Sequence, residues 1–249
     1  MSKRIIILGS SGYLGENIAS FLKKNNFEVI GISRKNSNFT TFQIKDYFNE
    51  YFDILKKISE NDILINCIND QKCKKNNDSF INFFLKNLNF NIKIIQFSSL
   101  SVYNESNNEY LKDEKSILQP SSSYGKLKLL IEYNIKKNMY ITDYLILRVG
   151  GVFGKKKLPT LLRLKRNILI YMLIKFLFSR TYLKLISINK LNNKILSLLE
   201  KDDFKKETIN LFYNHLYVDS KNNLFKKFIK NNLLKSYYTK VSNNKIKMI

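Results

Sequence analysis

"RIIILGSSGYLGENIASFLKKN", residues 4–25, decides the fold. The aliphatic run Ile5–Leu8 reads as a strand. It passes directly into Gly9-Ser10-Ser11-Gly12-Tyr13-Leu14-Gly15, and a helical pattern follows. Glycines at three-residue intervals mean little alone; between a first strand and a helix they have a physical purpose. Gly9 permits the tight turn, Gly12 lets bare backbone approach a pyrophosphate, and Gly15 lets the helix pack on the sheet. The helix N-terminus offers backbone N–H groups and the positive end of its dipole to the anion. Gly9, Ser11, Gly12, Tyr13, Leu14 and Gly15 are therefore the candidate residues for a dinucleotide phosphate.

Working outward, the pattern repeats. "FEVIGIS" (27–33) reads as a second strand, "YFNEYFDILKKI" (47–58) as a helix and "DILINCI" (62–68) as a strand. "FINFFLKNL" (80–88) is helical, "IKIIQFSS" (92–99) a strand, "SYGKLKLLIEYNIKKN" (123–138) helical and "DYLILRVG" (143–150) a strand. Strand–helix alternation implies a parallel sheet with right-handed crossovers. The fold class is thus α/β, a Rossmann-type doubly wound parallel sheet with a small C-terminal substrate lobe. "GKKKLP" (154–159) reads as a linker. It divides a dinucleotide-binding core, residues 1–154, from a lobe spanning 155–249, of which about 182–215 returns to the core. There is no internal repeat.

Sites that select NAD usually carry Asp or Glu at the end of the second strand, about twenty residues past the glycines. Here that position holds Ser33, followed by Arg34 and Lys35. No carboxylate repels a 2′-phosphate, and Arg34 can grip one through two N–H groups. NADP is the expected cofactor, with NAD as the alternative; a merely solvated basic turn would look the same.

The 249 residues are 44% hydrophobic and 13% aromatic, enough for a large core. The formal net charge of +23 is unusual. The lysines are scattered rather than clustered, which reads as compositional drift and not as a nucleic-acid-binding face. The field still favours an anionic small molecule. Cys67 and Cys73 have neither metal nor redox-motif spacing, and Cys67 reads as core. With His215 the single histidine, read as a loop or surface residue, no zinc site is expected. The N-terminal apolar run is too short for a signal peptide, so the expected location is the cytoplasm. Ile168–Phe178, "ILIYMLIKFLF", is about half a membrane span in length and contains Lys175. It reads as a buried helix. Arg163, Lys165, Arg166 and Arg180 flank it, which leaves peripheral membrane contact open but no integral span.

Tyr124 precedes Lys128 by four residues, one helical turn. Tyr133 with Lys137, Tyr171 with Lys175 and Tyr217 with Lys221 share that spacing, so context must separate them. The glycine loop, "FSSLSVY" (97–103), "SYGKLKLLIE" (123–132) and "LRVGGVFG" (147–154) occur in one order. In that order they resemble the extended short-chain dehydrogenases/reductases, the NAD-dependent epimerase/dehydratase family. Glu114 and Pro120 match a loop which that family carries before its tyrosine, and "LISINKLNNKILSLLE" (185–200) a later strand–helix element.

The resemblance implies catalytic Ser99, Tyr124 and Lys128, with Tyr124 and Lys128 also touching the cofactor. Free tyrosine titrates near ~10, and a nearby ammonium favours its phenolate. Tyr124 would exchange a proton with a substrate hydroxyl or carbonyl while hydride moves at the nicotinamide. Ser99 would bond the same oxygen, and Lys128 would hold the nicotinamide ribose. The family's dehydratases carry Asp-Glu after the Ser/Thr; Leu100 and Ser101 stand there instead, so water elimination is not expected. Asn104 replaces a common Gly, and Lys190 a common Asp. The implied function is an NAD(P)-dependent oxidoreductase acting on a nucleotide-activated sugar or related keto/hydroxy compound, read first as a ketoreductase. The alternatives are a nucleotide-sugar epimerase and a non-catalytic dinucleotide-binding module. Family analogy also suggests a homodimer.

Overall fold

The computed structural model describes residues 4–60, 62–76, 78–103, 113–154, 181–201, 205–212 and 214–218. Its centre is a seven-stranded sheet. In chain order its strands are β1 (Arg4–Leu8), β2 (Glu28–Ser33), β3 (Phe42–Gln43), β4 (Ile63–Asn66), β7 (Ile92–Ser99), β8 (Ile141–Val149) and β11 (Glu207–Leu211). Across the sheet the order is β11-β8-β7-β4-β1-β2-β3, and every neighbouring pair is parallel. The chain winds outward in both directions from β1, so the crevice at the switch point opens where β1 ends in the glycine loop.

Strand alternation explains why β1 is apolar throughout. Ile5 and Ile7 enter one core with Ile18, Ala19 and Leu22 of α1 (Tyr13–Lys24) and Leu191, Ile195 and Leu198 of α5 (Ile188–Lys201). Ile6 and Leu8 enter the other core. There they meet Tyr51 and Ile54 of α2 (Tyr51–Leu55), Phe80 and Phe84 of α3 (Phe80–Lys86), and Leu127, Ile131 and Ile135 of α4 (Ser123–Lys137). A sheet covered on both faces requires such continuous apolar runs.

The helix read at 47–58 contracts to α2. Asp46 Oδ1 accepts the N–H groups of Phe48 and Asn49 at 3.0 and 2.9 Å, and Glu50 Oε1 accepts that of Asp46 at 2.9 Å. Side-chain acceptors thus turn the backbone before a helix can form. Beyond the main sheet, β9 (Gly151–Phe153) runs parallel to β10 (Thr181–Ser187), which pairs antiparallel with β12 (Asn214–Val218). A short hairpin joins β5 (Lys74–Lys75) to β6 (Asp78–Ser79). His215, read as a loop or surface residue, lies in β12 opposite Lys184 and not in a loop. Ile168–Phe178 with its cationic flanks, Asn104, and most of the proposed linker and lobe lie outside the described residues.

Candidate cofactor and catalytic site

At the end of β1, Gly9 has φ +80°, a conformation side chains resist. Its N–H donates to the Ile32 carbonyl at 2.8 Å, tying the loop to β2. A Cβ on Gly15 would overlap the Gly9 carbonyl oxygen, so α1 can start against the loop only with glycine there. Gly12 is exposed, and beyond the Gly9 oxygen an added Cβ meets open space. These features fit a pyrophosphate cradle: bare backbone, a tight turn and the N–H end of a twelve-residue helix. Ser11 and Ser33 share a hydrogen bond between their hydroxyls, which joins the loop to the end of β2. Ser33 is buried, whereas Arg34 and Lys35 are exposed, and the Arg34 guanidinium lies 5.7 Å from the Tyr47 ring centroid. Tyr13 and Leu14 are half-buried in the first turn of α1, and burial raises the Tyr13 phenol above its ordinary pKa.

β7 ends at Ser99, where a single 3-10 turn, Leu100–Val102, begins. Ser99 Oγ accepts the Ser101 N–H at 3.2 Å and donates to Ser101 Oγ at 3.1 Å. α4 then starts directly above that turn. Ser122 caps it by accepting the Gly125 N–H at 3.0 Å. A Cβ on Gly125 would overlap the Ser101 carbonyl oxygen. This close approach brings the start of α4, with Tyr124, against the turn that follows Ser99. Gly125→Ala is expected to push α4 off the turn. The expected cost is about 1–3 kcal/mol of stability, as for other overpacked contacts, together with a loss of turnover. A thermal melt at wild-type temperature would contradict this.

Lys128, one turn on, is buried beside the strand ends. Its Nζ donates to the Phe97 carbonyl at 2.8 Å and to Asp70 Oδ2 at 2.5 Å, and lies 5.8 Å from the Tyr124 ring centroid. Ser99, Tyr124 and Lys128 therefore gather around the end of β7. The rival pair Tyr133–Lys137 does not. Tyr133 is half exposed, and Lys137 Nζ sits 4.4 Å over its ring at the surface. Tyr217 belongs to a strand, where four residues do not make a helical turn, and Tyr171 lies outside the described residues.

A second buried network supports the same elements. Arg148 of β8, 1% exposed, reaches Glu132 of α4 with Nε at 3.1 Å and Nη2 at 2.7 Å. Its Nη1 donates to Tyr103 Oη at 2.7 Å, and Tyr103 in turn bonds Asn210 Oδ1 of β11 at 2.9 Å. Glu114 Oε1 accepts the Asn210 N–H at 2.8 Å. Burial alone would lower the guanidinium pKa, but the Glu132 carboxylate outweighs it and the net shift is upward.

Sequence reasoning missed Asp70, Asn66 and Gln96, which surround Lys128. No local pattern reveals Asp70, because its partner is 58 residues away. Glu132 and Arg148 did carry a signal: opposite charges at positions whose helix and strand periodicity is apolar. Cys67, read as core, is half-buried; its backbone abuts Gly9, and burial drives its thiol pKa upward. Burial likewise pushes the Cys73 thiol up to about 11, so it carries no thiolate at neutral pH. Among the described residues no His/Cys/Asp/Glu cluster could hold a metal, and no helix is long and apolar enough to cross a membrane.

Comparison with known proteins agrees with this fold. Residues 5–179 match the family described as the NAD dependent epimerase/dehydratase family. The bifunctional polymyxin resistance protein ArnA of Wigglesworthia glossinidia brevipalpis is 26% identical over 176 residues, 57% of this chain. The match spans only 26% of that protein's length. A short-chain dehydrogenase/reductase superfamily protein from Agrobacterium tumefaciens, solved with bound NAD, superposes with a TM-score of 0.71 at 16% identity, covering 98% of this chain and 90% of its own. UDP-glucuronic acid 4-epimerase from Bacillus cereus, in complex with NAD, superposes with a TM-score of 0.71 at 19% identity, covering 99% and 92%.

Proposed function

The chain belongs to the NAD dependent epimerase/dehydratase family, and from that premise we propose that it is a nicotinamide-dependent oxidoreductase acting on a nucleotide-activated sugar or a related keto/hydroxy compound. The reading is a ketoreductase. The observation that carries it is the gathering of Ser99, Tyr124 and buried Lys128 at the end of β7, two strands from the glycine loop. Ser99 and Tyr124 hold the substrate oxygen, and Tyr124 transfers its proton. Lys128 binds the nicotinamide ribose. The cofactor, when bound, supplies or accepts hydride at C4 of the nicotinamide. The core, residues 1–154 with about 182–215 returning to it, holds the cofactor and these three side chains, and the rest of 155–249 supplies the substrate lobe. The net charge of +23 favours an anionic substrate.

Mass spectrometry of small molecules that co-purify with the native protein tests this reading. A nicotinamide dinucleotide with or without a nucleotide sugar is expected; a purified protein that takes up neither on titration would refute it. An epimerase, the second reading, draws support from the likeness to the Bacillus cereus 4-epimerase. Net consumption of NADPH on a 4-keto nucleotide sugar separates the two. Leu100 and Ser101 leave no acid–base pair for water elimination, and no dehydrated product is expected.

Cofactor preference is assigned to Ser33, Arg34 and Lys35, with NADP favoured over NAD. Arg34 is exposed at that turn and suits a 2′-phosphate. Arg34→Ala is expected to remove most of the NADPH preference. One charge-assisted contact is worth roughly 1.5–3 kcal/mol, or about ten- to a hundredfold in affinity. Equal NADPH and NADH affinities in the wild-type protein at fixed ionic strength would refute the assignment.

A further inference from the structure

Beneath the site, five groups close a buried polar ring. Lys128 Nζ donates to Asp70 Oδ2 at 2.5 Å and to the Phe97 carbonyl at 2.8 Å. Gln96 Nε2 donates to the same carbonyl at 2.8 Å. Asn66 Nδ2 donates to Gln96 Oε1 at 2.9 Å and to Asp70 Oδ1 at 3.4 Å, which returns the ring to its start. Asp70, Asn66 and Gln96 are each 1% exposed, and Lys128 is 6% exposed. Asn66 is further fixed by accepting the Ile68 N–H through Oδ1 at 3.1 Å.

A buried ammonium needs a counter-charge. Among the described residues, Asp70 is the carboxylate within ion-pair reach of Lys128. Asp70 sits in the loop after β4, on a backbone segment that begins at Cys67 against the glycine loop. The ring therefore links the strand that flanks the phosphate loop to the helix that carries Tyr124. An ammonium has three N–H groups. Asp70 and Phe97 take two of them and leave one for the site above.

We infer that Asp70 is a positioning residue: its carboxylate holds the Lys128 ammonium in one place and one orientation, and thereby prepares it to bind a nicotinamide ribose. The inference rests on the ribose-binding role proposed for Lys128, so its test needs one arm that uses no ligand. Four proteins are compared: wild type, Asp70→Asn, Lys128→Met and the double variant.

In the ligand-free arm, a buried, hydrogen-bonded ammonium exchanges slowly with water and gives a ¹H–¹⁵N signal. The Lys128 signal is identified by its absence in Lys128→Met. It is expected to vanish in Asp70→Asn. A folded Asp70→Asn that keeps the signal unshifted overturns the inference, because a structural role alone would lower the melting temperature and spare the signal. In the second arm NADPH binding is titrated by fluorescence. Asp70→Asn is expected to weaken binding about ten- to a hundredfold, as for loss of a charge-assisted contact. The double variant should be no weaker than Lys128→Met, since Asp70 acts only through Lys128. Additive losses overturn the inference. If Lys128→Met binds NADPH as wild type does, the ribose role fails, and the ammonium signal still decides whether Asp70 holds Lys128. If Asp70→Asn does not fold, the double variant decides. Recovered folding shows that the carboxylate serves the Lys128 charge, and continued misfolding overturns the inference.

Discussion

Tyr124→Phe is expected to bind NADPH as the wild-type protein does and to turn substrate over about 10²–10⁴-fold more slowly, the usual contribution of a general acid or base. Phenylalanine keeps the ring, its packing at the start of α4 and its place beside Lys128. It removes only the proton that must pass to the substrate oxygen. The control is Tyr133→Phe, since that tyrosine points into solvent with Lys137 over its ring. Candidate 4-keto and 4-hydroxy nucleotide sugars are screened first, with NADPH consumption as the readout. Full activity of Tyr124→Phe on any accepted substrate would overturn the assignment, and so would an equal loss in Tyr133→Phe.

The second large effect is on stability. Arg148→Leu leaves the Glu132 carboxylate buried without its guanidinium, and Glu132→Leu strands Arg148. Both side chains are 1% exposed, and breaking such a pair from one side costs about 3–5 kcal/mol. In a chain of this size each kcal/mol moves the melting temperature by roughly 2–4 °C. A fall of roughly 6–20 °C follows for either single variant. Arg148→Met with Glu132→Leu removes both charges and should recover most of it, because a well-packed apolar pair can replace a buried ion pair. Recovery will be incomplete, since Tyr103 also loses the donor that Arg148 supplies. Calorimetry of the four proteins checks this. Single variants that melt within about 2 °C of wild type would show that the pair contributes little.

The two predictions divide by how far the relevant residues could be read in advance. Tyr124 could be proposed because the resemblance that points to it is carried by a strand end, a loop and a helix start within a short span. The glycine loop was legible because its constraints are local. Gly9 answers its own φ of +80°, and Gly15 the carbonyl oxygen of Gly9 just before it. The parallel sheet followed from apolar runs too continuous for a half-solvated surface, as β1 shows by feeding alternate residues into two cores.

What the sequence by itself determined was thus the strand–helix alternation of the parallel sheet and the glycine turn between β1 and α1, because each depends on near neighbours and on the hydrophobic period. The tertiary structure alone decided the partners. Asp70 meets Lys128 across 58 residues, and Tyr103 meets Asn210 across 107. Tyr133–Lys137 has the same spacing as Tyr124–Lys128 but lies at the surface of α4, with Tyr133 half exposed and Lys137 over its ring. Such pairings are settled when strands take neighbours in the sheet and buried charges must be neutralised where they land. That energy belongs to the packed molecule and leaves no period or spacing along the chain.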